Sequence, residues 1–236
     1  MKFSEFEHRL LKLKNKSLPG IKSHIELAPI DRLKSIKEEV KIAKKDAAVS
    51  LCFFPDSNYE TRLPFILRNN YEGVHSNQIS FPGGKKEKLD EDLIETARRE
   101  TNEEISLNKD EMKLQFKLTD IYIPPSNFLV RPYVFKIQNQ PEIKPNSDEV
   151  VKVIRPKLSS LIKLKINYGK PNNQKFKNPY FLIENHVVWG ATAMILNEFL
   201  SLFKQWFIVY IFVHKSLRCH YLKETPLVIY FLLKLG

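Results

Sequence analysis

Cysteine is scarce: Cys52 and Cys219 stand far apart, with no C-x-x-C spacing. That excludes a disulfide framework and a thiolate zinc site, and it points to a reducing, cytoplasmic setting. Long apolar runs are missing too. Trp206–Val213 and Leu227–Leu233 are almost wholly apolar, but both fall short of the roughly 18 to 20 residues a spanning helix needs, so no membrane span is expected. Met1–Lys16 mixes charges throughout and lacks an apolar run followed by a small-residue cleavage site, so a signal peptide is not expected. No internal repeat and no low-complexity tract is present.

Positive charge, by contrast, is abundant. Against 27 Asp and Glu stand 38 Lys and Arg, a formal net charge of +11. Such a balance favours a polyanionic partner and leaves nucleic acid, anionic lipid and a small phosphorylated substrate open. A solvated Lys-rich surface explains the same number equally well. With 236 residues, 43% of them hydrophobic, the chain fits one substantial domain with extensions. The expected divisions are an N-terminal helical extension at residues 1–44, a principal domain at 45–203 and an atypical apolar and basic tail at 204–236.

Phe3, Phe6, Leu10 and Leu13 recur at helical steps and predict a short amphipathic helix over Phe3–Leu13 that packs its stripe on the rest. Asp31–Lys45, rich in Lys and Glu, reads as a second, exposed helix. Ala47–Phe54 is an apolar run closed by Pro55-Asp56-Ser57-Asn58, and Leu63–Leu67 reads the same way: both are strands. A helix over Asp90–Asn102, strands over Leu114–Ile123 and Phe128–Ile137, and a terminal helix over Ala191–Phe203 complete a mixed α/β pattern.

Chemistry concentrates in one place. Gly83-Gly84 leads into a helix carrying Arg99-Glu100-Thr101-Asn102-Glu103-Glu104. At 3.6 residues per turn, Ile94, Ala97, Thr101 and Ile105 form a buried stripe, while Glu100, Glu103 and Glu104 project from the adjoining face within one turn. Like charges so close raise one another's proton affinity unless a cation lies between them. With no His or Cys nearby, a hard divalent ion such as Mg2+ or Mn2+ is the natural occupant, and metal-assisted attack of water on phosphorus is the implied reaction. Solvated glutamates paired with Lys and Arg are the bland alternative. The Gly pair and Arg99, able to fix a carboxylate by a bidentate bond, favour the site.

Together these residues resemble the Nudix box, G-x5-E-x7-R-E-U-x-E-E-x-G-U with U apolar. Gly84, Arg99, Glu100, Glu103, Glu104 and Leu107 match it; Asp90 supplies the first acid, eight residues then precede Arg99, Thr101 takes an apolar position and Ser106 replaces the second Gly. The extra residue is similar to the coenzyme A branch of the family. So is His75-Ser76-Asn77-Gln78-Ile79-Ser80-Phe81-Pro82-Gly83-Gly84, which resembles H-x-G-Q-x-S-F-P-G-G with Asn77 in place of Gly. Ile123–Phe128, Asn146–Val150 and Val188–Ala193 look like further segments of that branch, so the likeness covers about Lys45–Phe203. The resemblance implies an α/β/α sandwich in which a mixed sheet lies between helices. It also implies hydrolysis of coenzyme A at its pyrophosphate to 3′,5′-ADP and 4′-phosphopantetheine.

By resemblance, Glu100 and Glu104 are the first metal ligands and Glu103 the third. Glu103, Glu100 and Arg99 serve the reaction, and Gly84 lies against the substrate. Arg68 and His75 either contact substrate phosphates or anchor the loop before Phe81, and Glu149 is a candidate distant carboxylate. Trp189 could stack on an adenine, but within an apolar run it reads as core packing. Two rivals stay open: a Nudix hydrolase of ADP-ribose or a dinucleotide, and a nucleic-acid-binding module on the same fold, the latter not expected because the Glu cluster is intact. A homodimer is left open. The tail after Phe203 has no counterpart in the branch, so a chain ending at Gln205 is expected to match the full chain in solubility and activity; loss of folding on that truncation would refute the reading.

Overall fold

Strand β1, Lys45–Pro55, is buried on both faces, and its alternation assigns each face a layer. Ala47, Leu51 and Phe53 join one apolar cluster, whereas Ala48, Cys52 and Phe54 join the other. The computed structural model describes residues 1–33, 45–69, 78–171 and 175–219, with side chains to residue 204. The helix expected over Asp31–Lys45 lies mostly outside the described residues.

Helix α1 spans Phe3–Leu13 as its spacing predicts, and a short helix, α2, follows at Ile21–Leu27. After β1 come β2 (Thr61–Arg62), β3 (Phe65–Arg68), β4 (Ile79–Ser80), β5 (Gly83–Lys85) and helix α3 (Leu93–Ile105). Then follow β6 (Lys113–Lys117), β7 (Ile121–Ile123), β8 (Phe128–Lys136), β9 (Val150–Ile154) and a one-turn helix, α4 (Leu158–Leu161). Strands β10 (Asn167–Gly169), β11 (Asn178–Ile183) and β12 (His186–Trp189) lead directly into α5, Gly190–Cys219.

The central sheet is mixed. Strand β1 runs parallel to β8 and antiparallel to β2 and β5, while β6 and β7 both pair antiparallel with β8. Two three-stranded sheets, β4-β3-β9 and β10-β11-β12, flank it. Helix α3 packs Ala97 and Ile105 with Ala48, Cys52 and Phe135 on one face. On the other, Phe6 of α1 meets Phe53 at 4.7 Å between ring centroids, and Phe53 stacks on Phe199 of α5 at 4.6 Å. The result is an α/β/α sandwich.

The strand expected over Leu114–Ile123 is broken in two, for a physical reason. Opposite the break stands Pro132 of β8, which has no N–H to donate. It accepts from Leu118 N at 2.9 Å, and the next amide, Thr119 N, turns instead to the carboxylate of Glu198. The terminal helix likewise exceeds expectation: α5 runs without a break past Phe203 to Cys219. Among the described residues no helix is long and apolar enough to cross a membrane.

Glu198 also explains the short helix α2, which has seven residues and no side-chain cap. The fully buried carboxylate accepts from Gly20 N at 3.2 Å and Thr119 Oγ1 at 2.6 Å, and meets His24 Nε2 at 3.0 Å. Burial alone would raise its pKa, but the bonds from His24 and Thr119 outweigh burial and hold it below its ordinary value of 4.5. A carboxylate with a depressed folded-state pKa contributes stability above its unfolded value and loses it as pH falls through the folded one. Wild type should therefore be more thermostable than Glu198→Gln at neutral pH, the gap closing only once pH falls below the ordinary value of 4.5 when Tm is followed against pH by circular dichroism.

Candidate active site

Glycine makes the site possible. Gly83 has φ +148°, and a Cβ there would lie 2.2 Å from the Ala48 carbonyl oxygen of β1. At Gly84 a Cβ would lie 2.3 Å from the Glu100 carboxyl group. Strand β5 thus lies between β1 and α3: Gly83 has no room for a side chain against the β1 backbone, and a side chain on Gly84 would displace the Glu100 carboxyl group. Helix α3 starts three residues later than the acidic pattern suggests, because Asp92 caps it, accepting from Ile94 N and Glu95 N at 2.8 Å each.

The freed Asp90 does something else. Arg99 grips it with two parallel bonds, Nε to Oδ1 at 2.8 Å and Nη2 to Oδ2 at 3.1 Å, while Thr96 Oγ1 and the Glu87 amide also donate to Oδ2. The Arg99 bonds, more than burial opposes, hold the Asp90 carboxyl well below the usual carboxylate range. Arg99 Nη2 further donates to the Lys85 carbonyl at 3.1 Å. Arg99 therefore locks the segment after β5 onto α3, and its fork is directed at protein groups.

The three glutamates separate. Glu104 is fully buried, with Oε2 accepting from Gly83 N at 2.8 Å. Its Oε1 lies 3.0 Å from Arg68 Nη2, within ion-pair range but off the donor direction, so that oxygen has no hydrogen bond among the described residues. Glu100, half-buried, lies against Gly84 with Oε1 3.1 Å from Arg99 Nη2. Glu103 is 52% exposed at its side chain and pairs with Arg99 Nη1 at 2.8 Å. The expectation of three carboxylates gathered on one face is corrected: Glu100 and Glu104, one turn apart, share the face toward β5, and Glu103 turns to solvent. Burial lifts the Glu104 carboxyl to about 7 against the Arg68 charge and the Gly83 N–H, with Glu100 and Glu149 adding to the rise. Burial also raises Glu100.

Arg68 is engaged by the protein itself. Its Nη2 donates to the Gly83 carbonyl at 2.7 Å and its Nε to Ser80 Oγ at 3.1 Å. Of the two roles expected for it, the geometry shows the anchoring of the segment around Phe81. Glu149 is exposed, its backbone held between Asn69, which donates to its carbonyl at 2.8 Å, and Asn146, which accepts from its amide at 3.1 Å. Asn146 N in turn donates to the Glu104 carbonyl at 2.9 Å, so this segment does fold over the end of α3. His75 lies outside the described residues.

Among the described residues no group of three His, Cys, Asp or Glu side chains forms a ready metal cluster. Glu100 and Glu104 nonetheless fit a hard divalent ion. They offer oxygen donors only, both have raised proton affinity, and Glu104 Oε1 is buried without a hydrogen bond; an ion that keeps several waters needs few protein oxygens. Beside them opens a cavity of 680 Å3 floored by Gly83, Gly84 and Glu100. Trp189, partly exposed, also lines it, although its Nε1 is buried. The pairing that brings Arg68 and Ser80 together, β3 with β4, is a tertiary contact with no local sequence signal.

A mixed sheet between helices, with a glycine pair backing the carboxylates of one helix, defines a Nudix domain, and the Nudix domain family matches residues 44–177. The chain belongs to the Nudix hydrolase family. It is similar to mitochondrial coenzyme A diphosphatase NUDT8 of Homo sapiens, 33% identical over 146 residues that cover 59% of this chain and 62% of that protein. The Mus musculus protein of the same name is 31% identical over 59% of this chain and 70% of its own length. The uncharacterized Nudix hydrolase NudL of Pectobacterium atrosepticum is 31% identical over 52% and 66%. The chain thus spans somewhat under two thirds of the length of two of these relatives.

Replacing Arg68 by Met removes the charge facing a fully buried carboxylate, and should lower stability by about 2 kcal/mol in urea denaturation at mildly alkaline pH. Adding Glu104→Gln to that variant should restore most of the loss, because the buried charge goes with it.

Proposed function

We propose that this protein is a metal-dependent pyrophosphohydrolase that cleaves coenzyme A, or a derivative of it, to 3′,5′-ADP and 4′-phosphopantetheine. The observation that carries the reading is the placement of the Glu100 and Glu104 carboxylates at Gly83-Gly84, where Glu100 and both glycines line the cavity. The names of the NUDT8 relatives and the segment Gln78–Gly84 support the choice of substrate.

In this reading Glu100 and Glu104 hold Mg2+ or Mn2+, with Glu103 at the outer edge. The bound ion would neutralise phosphate charge and lower the pKa of an attacking water. Water adds to one phosphorus, the bridging P–O bond breaks, the other phosphate leaves with the bond electrons, and the water proton passes to a carboxylate base. Arg68 keeps Glu104 oriented toward β5, and Arg99 holds the segment after β5 in place through Asp90. Substrate occupies the cavity. The scarcity of cysteine supports a reducing compartment, and the reading places the protein in the cytoplasm.

Purified protein incubated with coenzyme A and Mg2+ or Mn2+ should release both half-products, followed by mass-resolved chromatography. Glu104→Gln should reduce the rate on the order of 100-fold. Turnover of ADP-ribose or a dinucleotide, with coenzyme A untouched, would retain the Nudix chemistry and discard the substrate. No turnover of any of them, together with salt-sensitive RNA binding, would favour the binding module suggested by the net charge.

A further inference from the structure

The segment Pro29 to Arg32 follows the short helix α2 and folds as a single turn without a side-chain cap, so nothing in its own sequence fixes its place. It nevertheless forms part of the 680 Å3 cavity, which Pro29, Asp31 and Arg32 line. Arg32 stands where three remote segments meet. Its Nη2 donates to the Tyr122 carbonyl of β7, and its Nη1 donates to Met194 Sδ of α5 at 3.8 Å. Each partner is next in sequence to a residue on the same lining, Ile123 after Tyr122 and Ile195 after Met194. Arg32 therefore joins the N-terminal segment, the end of β7 and the first turns of α5 into one wall.

The helix before this segment is tied to the same elements. Glu198, one helical turn beyond Met194, meets His24 of α2 and accepts from Thr119, which stands shortly before β7. Asn197, also buried, donates from Nδ2 to the Ser23 carbonyl at 2.8 Å and to Glu26 Oε2 at 2.9 Å. Beyond α2, the Ile30 amide donates to Asn178 Oδ1 of β11 at 3.0 Å. Helix α2 is thus fixed on α5 and carries the following turn to the cavity, where Arg32 completes the attachment.

We propose that Arg32 is a positioning residue for substrate: by bridging Tyr122 and Met194 it keeps this wall of the cavity assembled, and it acts on affinity rather than on bond cleavage. The effect on substrate rests on the coenzyme A reading; the bridge itself does not. A cavity assembled only part of the time binds with an affinity reduced by that fraction, whereas a complex once formed is assembled and reacts as before. The rival role for a cation on this lining is direct pairing with a substrate phosphate. Lysine separates the two, because it keeps the charge and lacks the planar fork that serves two acceptors at once.

Full-length wild type, Arg32→Met and Arg32→Lys are compared in two ways. Hydrogen exchange followed by mass spectrometry, without substrate, should be faster in both variants at residues 121–128 and 190–195, with α3 and β1 as protected as in wild type. Steady-state hydrolysis of coenzyme A with Mg2+ should show KM raised on the order of 10-fold in both, with kcat retained. Where Arg32→Met fails to fold, Arg32→Lys carries the same two expectations. Unchanged exchange at those segments overturns the proposal, as does faster exchange with unchanged KM. A wild-type KM in Arg32→Lys overturns it in favour of a phosphate contact, and exchange that also rises across α3 and β1 overturns it by marking Arg32 as a general stabiliser. Faster exchange confined to the two segments, in a protein that leaves coenzyme A intact, would refute the substrate reading and keep the bridge. Coenzyme A hydrolysis with unchanged exchange and KM would do the reverse.

Discussion

Strand β5 lies so close to β1 that hydrogen is all that fits on the Gly83 α-carbon, and a side chain on Gly84 would push the Glu100 carboxyl group from its place. Gly83 faces the backbone of β1 and Gly84 faces the carboxyl group of Glu100. That double approach lets α3 lie with two acidic side chains directly against the backbone of β5, and lets the Gly83 amide donate to Glu104. The central sheet positions this contact, because β5 is itself paired to β1 through Ala47, Ala48 and Val49. Site geometry and sheet register are consequently one constraint.

Two arginines whose side chains are equally exposed, at 20% each, divide the acids of α3 and of the turn before it. Arg99 satisfies the buried Asp90 with a two-pronged bond and spans Glu100 and Glu103 as well. Toward the interior, Arg68 reaches Glu104 from β3, a strand of a separate sheet. The outcome for the acids differs accordingly. Asp90, with four hydrogen bonds, is held ionised, whereas Glu104, buried with one oxygen unbonded, has a proton affinity near neutrality. Neighbouring carboxylates of one motif thus differ in proton affinity because their surroundings differ.

Where periodicity was strong, the sequence was readable. Helix α1, both faces of β1, and the start of α5 follow from apolar spacing, as does the buried stripe of α3 through Ala97, Thr101 and Ile105. Features that depend on distant partners were not readable. Helix α2 is too short to announce itself and is fixed by Glu198, far along the chain. The break after β6 depends on Pro132 in a facing strand. Glu103 leaves the cluster because Arg99 holds it at 2.8 Å, a competition that helical spacing alone does not rank. The apolar run around Trp189 does not rank its members: Val188 is the more deeply buried, while Trp189 lines a cavity completed by segments remote in sequence as well as by Gly190–Thr192.

The parallel pairing of β1 with β8 also has a kinetic meaning. Lys45 pairs with Phe128 and Phe53 with Lys136, so joining these strands closes a loop of roughly eighty residues before any of its contacts is rewarded, a slow, entropy-limited step. The segment enclosed by that loop contains β5 and α3, whose contact with β1 is local by comparison. The half of the molecule carrying the acidic helix can therefore gather around β1 early, and the wall contributed by Phe128, β12 and α5 arrives with the long-range closure. Substitutions at the β1–β8 seam would slow folding, whereas those at the Gly83-Gly84 contact would act on the finished site.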